Sequence, residues 1–319
     1  MPQTKGIRPW LQLLRWPNLL IVGLTQYLIY YLIVRPPIQA QVSLVLSHFQ
    51  FALLVICTMI IAGGGYIIND LIDQPIDQIN KPDRLLIGPT INPAAAWRAY
   101  WLLQLIGFGI SLYIGIAIDR PAQILIYPIA SGLLAWYSYQ LKQQLLWGNI
   151  VVGVFCTFVP GVVWYAEREP YAVLAEQAPA VELVTRILLL LYLAFAFFST
   201  LLREVVKDME DVEGDLAQGC RTLPIQMGMG VARRVAMGFG VVVLGLLGVA
   251  IYLQVQGGRW VELGYLGGFV LAPLLFILWK LQRAHYISDF HQISQWIKLI
   301  MLTGLLYLVV YAWQSSLFF

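Results

Sequence analysis

Acidic residues concentrate in two short stretches of this 319-residue chain. In the first stretch Asn69, Asp73 and Asp77 recur every four residues, and Asp70 lies between them. Residues four apart share one face of a helix, so the spacing predicts a row of oxygen-bearing side chains. Like charges one turn apart repel unless a cation lies between them. The spacing therefore favours a cation site, although Pro75 is expected to kink the helix or to begin a new turn.

The second stretch repeats the pattern farther along the chain. Asp208, Asp211 and Asp215 are spaced i, i+3 and i+7, which again predicts a single helical face. Mg²⁺ prefers hard oxygen ligands and binds through a few carboxylates together with substrate phosphates. Two acidic faces that point at each other would hold metal ions bridging a diphosphate, with nearby Arg and Lys neutralising the remaining charge. Two solvated acidic loops anchored by nearby cations are the alternative.

The rest of the chain is apolar. Hydrophobic residues make up 60% of the sequence and charged residues only 12%, about half the charged fraction of soluble proteins. This composition argues against a water-soluble enzyme and against intrinsic disorder, and the net charge of +3 does not favour nucleic-acid binding. Three widely separated cysteines, Cys57, Cys156 and Cys220, predict reduced or buried thiols and not a disulfide framework or a zinc site.

Nine apolar runs are long enough to cross a membrane as helices. They cover residues 17–34, 49–68, 98–118, 121–139, 149–166, 183–203, 231–253, 262–281 and 297–313. The first run is too long for a signal-peptide core and lacks a cleavage site, so we expect it to be retained. The sequence therefore predicts an all-α polytopic membrane protein, organised as one domain over residues 1–319.

Positive charges predict the orientation. If the N-terminus and every second loop lie on one side, that side holds 15 of the 20 Lys and Arg residues. Because cytoplasmic loops are enriched in Lys and Arg, this bias predicts a cytoplasmic N-terminus and an external C-terminus. Ten of the 17 acids fall in the two acidic stretches, which share the cytoplasmic side. A diphosphate site in such a protein indicates a lipid diphosphate, whose allylic carbocation would need an apolar, aromatic-rich pocket.

These residues resemble the motifs of the UbiA-type intramembrane prenyltransferase superfamily. Residues 69–84 read NDLIDQPIDQINKPDR, similar to the family's NDxxDxxxD followed by NxPxR. Residues 211–215 read DVEGD and match its DxxxD, while residues 139–142 read YQLK and are similar to its YxxK. Arg15 and Asn18 resemble a polar pair at the start of the family's first helix. The resemblance covers nearly the whole chain, including the count of nine helices.

The resemblance implies a role for each of these residues. Nine transmembrane helices would surround a central cavity, capped on the cytoplasmic side by two metal-binding loops at about residues 69–97 and 204–230. The ligands of two Mg²⁺ ions would be Asn69, Asp73, Asp77, Asp211 and Asp215, with Asp70 and Asp208 as second choices. The contacts to the substrate diphosphate would come from Arg84, Lys142, Lys207 and Asn18. Tyr139 and Lys142 would act at the scissile allylic bond.

The identity of the acceptor stays open. The sequence of residues 203–215 looks most like that of the branch that alkylates geranylgeranylglyceryl phosphate. Related sequences also occur in branches that prenylate chlorophyllide or homogentisate. An aromatic acceptor of quinone or chlorophyll-type biosynthesis is therefore the alternative. The partners implied are a prenyl diphosphate, a lipophilic acceptor and membrane lipid, without nucleic acid or an obligate protein partner.

Two other classes of membrane protein fit the sequence less well. A CDP-alcohol phosphatidyltransferase also uses carboxylates and a metal, but it needs Gly and Ala-Arg after its first acid pair, and residues 70–75 read DLIDQP. A lipid transporter would usually carry charges in mid-membrane or paired broken helices, whereas the nine runs are almost free of charge. Both remain remote alternatives to a prenyltransferase.

Overall fold

The chain is almost entirely helical in the computed structural model, which describes residues 6–80 and 82–316. The helices before residue 140 are α1 (Arg8–Leu13), α2 (Trp16–Ile29), α3 (Arg35–Gln39), α4 (His48–Ile72), α5 (Gln74–Asn80), α6 (Pro93–Ala117) and α7 (Pro121–Tyr139). The later helices are α8 (Trp147–Ala166), α9 (Arg168–Gln177), α10 (Pro179–Glu210), α11 (Val212–Ala217), α12 (Leu223–Met227), α13 (Met229–Gln256), α14 (Trp260–Tyr265), α15 (Ala272–Arg283) and α16 (Ile287–Ser316).

Short irregular elements connect these helices. A π-helical segment at Tyr30–Val34 joins α2 to α3, and another at Leu266–Leu271 joins α14 to α15. Two-residue strands, β1 (Gln144–Leu145) and β2 (Arg221–Thr222), form a small sheet. The all-α architecture expected from the sequence is confirmed, since backbone groups inside a membrane must be satisfied within a helix or a closed barrel.

Eight helical segments are long and apolar enough to cross a membrane within the described part of the chain. They are Trp16–Gln39, His48–Ile72, Pro93–Ala117, Trp147–Ala166, Pro179–Glu210, Met229–Gln256, Trp260–Arg283 and Ile287–Gln314. Each overlaps one of the nine runs predicted from the sequence. The remaining run is the helix α7, whose 19 residues include three tyrosines, Gln123, Ser131 and Ser138, and these polar groups lower its mean hydropathy. The chain is thus a polytopic membrane protein, and the count of nine spans stays a prediction.

By their internal contacts, the residues fall into two compact units. The first unit comprises Met1–Tyr27, Val45–Gln144 and Glu213–Cys220. The second comprises Leu28–Leu44, Leu145–Val212 and Arg221–Phe319. The expectation of a single domain over residues 1–319 stays a prediction.

The first unit anchors the end of α4 in an apolar cluster. Ile67, Ile68 and Leu71 of α4 are buried there. The cluster is completed by Leu13, Ile87, Ile91, Ala96 and Tyr100. Because the buried apolar residues alternate with Asn69, Asp70 and the following Asp73, their packing determines the direction in which the polar side chains leave the helix.

The second unit is organised around α10, which packs against α8, α13 and α16. Near the end of α10, Leu202, Val205, Val206 and Met209 are buried in the largest apolar cluster of this unit. Their burial presents the intervening polar residues of 203–211 on the remaining faces of the helix. As in the first unit, apolar packing orients an acidic stretch that the sequence singles out.

Close packing of α6 against α7 in the first unit depends on Gly107. A Cβ at Gly107 would lie 2.3 Å from the Tyr127 ring, whose hydroxyl donates to the Leu103 carbonyl and the Gln104 amide oxygen. We expect Gly107→Ala to lower the free energy of unfolding by about 1–3 kcal/mol, because the methyl group overpacks this contact. Thermal unfolding of the detergent-solubilised protein would measure the effect.

Gly109 provides the matched control on the same helix. Nothing lies within 4 Å of a Cβ built at Gly109, so Gly109→Ala should leave the unfolding midpoint unchanged or raise it slightly. Equal midpoints for the two variants would show that the α6–α7 contact does not depend on the glycine.

Candidate active site

The first acidic motif spans the junction of two helices, and helical backbone hydrogen bonds continue across that junction. α4 ends at Ile72, Asp73 caps it, and α5 begins at Gln74 with Pro75 in its second position. The Asp73 N–H donates to the Asn69 carbonyl and the Asp77 N–H donates to the Asp73 carbonyl, each at 2.8 Å. Asn69, Asp73 and Asp77 are therefore successive turns of one helical path. Pro75 begins a new helix, as expected, because Pro is tolerated in a first turn, where its missing N–H costs no bond.

Both oxygens of the Asp73 carboxylate have partners in the first unit. The Asn69 amide nitrogen donates to Asp73 Oδ2 at 2.6 Å, and the Lys142 ammonium forms an ion pair with Asp73 Oδ1. The side chains of Lys142 and Asp73 are only 10% and 15% exposed. The structure therefore brings together Asn69, Asp73 and Lys142, which the sequence assigned to metal and diphosphate binding. Lys142 is 69 residues from Asp73 along the chain.

Arg15 holds the neighbouring Asp70. Arg15 Nη2 lies 2.7 Å from Asp70 Oδ1, and the guanidinium stacks over the Tyr66 ring at 4.9 Å from its centroid. Burial is the largest single effect on the pKa of Arg15 and would lower it, but the charge of Asp70 and its hydrogen bond, together with Tyr66 and Asp77, outweigh burial, so the pKa is raised. Arg15 has φ of 50°, a left-handed backbone that is rare for residues other than glycine, between α1 and α2. The side chain of Asp70 is thus bound by a cation and not directed along the row of Asn69, Asp73 and Asp77.

Two further residues predicted from the sequence lie in this unit. Tyr139 is the last residue of α7, about half exposed, and the short turn after it carries Lys142. Asn18 lies in the first turn of α2, where its N–H donates to the Arg15 carbonyl at 2.8 Å. The chain thus links Tyr139 to the Lys142–Asp73 pair, and Asn18 to the Arg15–Asp70 pair. The side chain of Arg84 lies outside the described part of the structure.

The second acidic motif begins at the end of α10 in the second unit. The Asn149 amide nitrogen, in the first turn of α8, donates to Asp208 Oδ2 at 2.8 Å. Asp211 caps α10, and its N–H donates to the Lys207 carbonyl at 2.9 Å. Asp208 and Asp211 therefore keep the helical spacing that the sequence predicts.

Asp215 lies beyond the end of α10. The backbone bends at Asp211, and Asp215 belongs to the separate helix α11. The segment Glu213–Cys220 is part of the first unit, the unit that also contains Asn69, Asp73 and Asp77. The helix is therefore interrupted at Asp211, and the single face expected for Asp208, Asp211 and Asp215 stays a prediction.

The donor chemistry of these residues suits a hard divalent cation. Carboxylate and amide oxygens at one-turn spacing are the ligand type that Mg²⁺ prefers, and the Asn69–Asp73 contact shows that two of them approach each other. Among the described residues, no group of three or more His, Cys, Asp or Glu side chains lies close enough to hold a metal ion. The ligand set stays a prediction.

Comparison with known proteins identifies the chain. A sequence model of the UbiA prenyltransferase family matches residues 28–302. The chain belongs to the UbiA prenyltransferase family. It is an intramembrane prenyltransferase, and membership implies a prenyl diphosphate and a lipophilic acceptor as substrates. The resemblance found in the acidic motifs is thereby confirmed, although Arg15 and Asn18 precede the matched residues.

Individual relatives of this UbiA-family protein share most of its length. Digeranylgeranylglyceryl phosphate synthase of Methanothermobacter thermautotrophicus is 30% identical over 255 residues, or 77% of this chain and 76% of the relative. The enzyme of the same name from Hyperthermus butylicus is 32% identical over 254 residues, again 77% and 76%. A solved structure from work on digeranylgeranylglyceryl phosphate synthase in membranes superposes with a TM-score of 0.64, at 22% identity, and covers 96% of this chain and 98% of that one. At that identity it shows the fold alone.

Sequence reasoning missed two contacts of this UbiA-family site. Asn149 was recognised only as the residue that opens the fifth apolar run, yet it donates to Asp208. Arg15 was recognised as half of a polar pair, yet its partner is Asp70. A lone amide at the start of an apolar run was the available signal for Asn149. No local signal could have matched Arg15 to Asp70, because 55 residues separate them.

Proposed function

We propose that this protein transfers a prenyl group from a prenyl diphosphate to the hydroxyl of geranylgeranylglyceryl phosphate, forming an ether bond. The observation that carries the proposal is that two relatives matching three quarters of their length are digeranylgeranylglyceryl phosphate synthases. The sequence of residues 203–215 favours the branch that alkylates geranylgeranylglyceryl phosphate, and these residues include the polar end of α10.

The diphosphate is proposed to bind at the two acidic motifs with two Mg²⁺ ions. The proposed metal ligands are Asn69, Asp73, Asp77, Asp211 and Asp215, with Asp70 and Asp208 as second choices. Bound Mg²⁺ would neutralise the charge that develops on the departing diphosphate. Because Arg15 already engages Asp70 and Asn149 already engages Asp208, these two acids fit better as supports of the site than as direct ligands.

Cationic side chains are proposed to hold the diphosphate itself. Lys142 is paired with Asp73 in the structure, so its ammonium is available next to a proposed metal ligand and can exchange that carboxylate for a phosphate oxygen. Lys207, Arg84 and Asn18 would supply further contacts. Tyr139, three residues from Lys142 and about half exposed, would present its phenol to the allylic carbon, where the ring and its oxygen stabilise positive charge.

The side of the membrane is proposed from the charges. With both acidic motifs and the N-terminus in the cytoplasm, 15 of 20 cationic residues lie on the cytoplasmic side, as the positive-inside preference requires. Labelling of single cysteines introduced at each end with a membrane-impermeant reagent, in right-side-out and inverted vesicles, would test this. Labelling of the N-terminal position from outside would contradict the orientation.

Product analysis tests the proposed reaction. Purified protein in nanodiscs would receive prenyl diphosphates of several lengths, each with geranylgeranylglyceryl phosphate, with homogentisate or without acceptor, with and without Mg²⁺. We expect an ether product with the glyceryl phosphate, by mass spectrometry, and release of diphosphate only when Mg²⁺ is present. A product with homogentisate and none with the glyceryl phosphate would assign the chain to an aromatic acceptor instead, and no release with any diphosphate would contradict the metal-dependent mechanism.

A further inference from the structure

An ion pair lies inside the membrane-spanning helix α10, before the second acidic motif. Arg203 Nη1 and Glu204 Oε1 are 2.5 Å apart, and both residues belong to the apolar span Pro179–Glu210. Glu204 is buried, with 12% of its side chain exposed, whereas the Arg203 side chain is 21% exposed. Ionisable residues within a membrane helix are costly, and their retention indicates a functional role.

One polar atom of this pair, Nε of Arg203, lacks a hydrogen-bond partner among the described residues. Beside the pair lies Thr200, which is 2% exposed. Thr200 precedes Glu204 by four residues, so the two side chains share one face of α10. A buried donor without a partner is unfavourable, and a ligand that accepts its hydrogen bond removes this cost. The unpartnered N–H of Arg203 therefore points to a ligand with an acceptor oxygen.

The neighbouring helix α8 closes one side of this polar patch, which consists of Thr200, Arg203 and Glu204. The Cys156 thiol of α8 forms a hydrogen bond with the Thr200 hydroxyl, and the charges of Arg203 and Glu204 act on it. One turn nearer the start of α8, Gly153 allows close approach, since a Cβ there would lie 3.0 Å from the Phe197 ring. All of these residues are in the second unit. The patch therefore lies against a closely packed helix on one side, while the Arg203 side chain stays 21% exposed.

The depth of the patch suits the acceptor. Glu204 precedes Asp208 by four residues and Asp211 by seven, which places it about 6 Å and about 10 Å deeper along α10. In the proposed reaction the diphosphate binds near Asp211, and the carbon that it leaves lies on its membrane side. The nucleophile that attacks this carbon must therefore approach from the depth of the patch.

We propose that the polar patch binds the head of the acceptor: Arg203 holds its phosphate, and Glu204 accepts the proton of its attacking hydroxyl. This inference rests on the proposed function. A glyceryl phosphate carries its hydroxyl and its phosphate on neighbouring carbons, which matches the adjacent positions of Glu204 and Arg203. The guanidinium has five N–H donors, so it can bond to the phosphate while it keeps its contact with Glu204.

The step balances. The acceptor oxygen forms a bond to the allylic carbon while the bond from that carbon to the diphosphate oxygen breaks, and the diphosphate leaves with the electron pair. The acceptor proton passes to the Glu204 carboxylate and from there to water. The Thr200 hydroxyl, one turn away, would orient the acceptor by a hydrogen bond.

Separate measurement of diphosphate release and ether formation tests the role of Glu204. For full-length Glu204→Gln in nanodiscs, we expect Mg²⁺-dependent diphosphate release within about threefold of the wild-type rate. Ether formation should fall by at least about 100-fold, the scale of a lost general base, and prenyl alcohol should accumulate instead. Glu204→Asp should restore part of the ether product. The matched control is Glu182→Gln, a buried glutamate on the same helix that pairs with Arg186, and it should leave both rates unchanged.

Arg203→Lys tests the phosphate contact. We expect its KM for geranylgeranylglyceryl phosphate to rise at least about tenfold, because lysine cannot reproduce the guanidinium fork. Its KM for geranylgeranylglycerol, which lacks the phosphate, should match that of the wild type. Equal changes for both acceptors would show that Arg203 does not bind the phosphate.

Other outcomes would overturn the proposal. Full ether formation by Glu204→Gln would do so, and so would a proportional loss of release and ether formation in a folded variant, which indicates a structural role. If Glu204→Gln and Glu204→Asp both fail to fold, the KM values of Arg203→Lys for the acceptors with and without phosphate decide whether the patch binds the acceptor. If the proposed function itself is wrong, the wild-type protein will make no ether from geranylgeranylglyceryl phosphate. If only the role of the patch is wrong, the wild-type protein will still make this ether.

Discussion

Asp73→Asn is expected to abolish Mg²⁺-dependent release of diphosphate, with a loss of at least about 100-fold to 1000-fold, the scale seen when one preorganised electrostatic contact is removed. Asp73 is the centre of the first motif, because Asn69 donates to one of its oxygens and Lys142 pairs with the other. The substitution removes the charge that a cation needs while it preserves the shape of the side chain. Release of diphosphate by the purified variant would be measured at saturating Mg²⁺.

A stability measurement separates loss of the metal site from loss of the fold. Removing one partner of a buried ion pair is destabilising by up to about 3–5 kcal/mol, since it leaves the other charge buried, and Lys142 is only 10% exposed. The double variant Asp73→Asn/Lys142→Met removes both charges and should regain most of the lost thermal stability without regaining activity. Mg²⁺ with a diphosphate analogue should raise the unfolding midpoint of the wild type but not that of either variant.

Glu176→Gln is the control for a lost carboxylate. Glu176 lies on α9, is exposed and is outside both motifs, so its replacement should leave release and midpoint unchanged. If Asp73→Asn retains release within about tenfold of the wild type, Asp73 is not a metal ligand.

Asp211→Asn is expected to cause a loss of similar size through the second motif. The helix end should survive, because the contact that caps α10 is donated by the Asp211 backbone N–H to the Lys207 carbonyl and does not use the side chain. Loss of activity without a change in the unfolding midpoint would therefore report on the carboxylate alone. Diphosphate release and the unfolding midpoint would be measured on the same preparation.

Glu213→Gln offers a matched comparison two residues away. Glu213 is exposed on α11 and is no proposed ligand, so its replacement should change release by less than about threefold. Equal losses for Asp211→Asn and Glu213→Gln would indicate that the second motif acts through its net charge and not through specific ligands.

Much of the fold follows from local rules that a sequence reveals directly. Long apolar runs must become helices in a membrane, because each backbone N–H and C=O has to be bonded within the segment. The recurrence of Asn69, Asp73 and Asp77 survived even the break at Asp73, since the new helix begins in register with the old one. For Asp215 the same rule stays a prediction, because the bend at Asp211 ends α10 and Asp215 belongs to the next helix. For α7, polar residues left the membrane-spanning assignment open.

The sequence by itself determined the class of protein, the family and the positions of the two acidic motifs, because composition, run length and residue spacing are local properties. Only the tertiary structure decided which groups meet: Lys142 with Asp73, Arg15 with Asp70, and Asn149 with Asp208. Each of these pairs joins segments that are 55 to 69 residues apart. A cation can pair with any carboxylate that the chain brings within reach, so the partner is chosen by the packing of helices such as α4 and α10 and not by the spacing of charges along the chain.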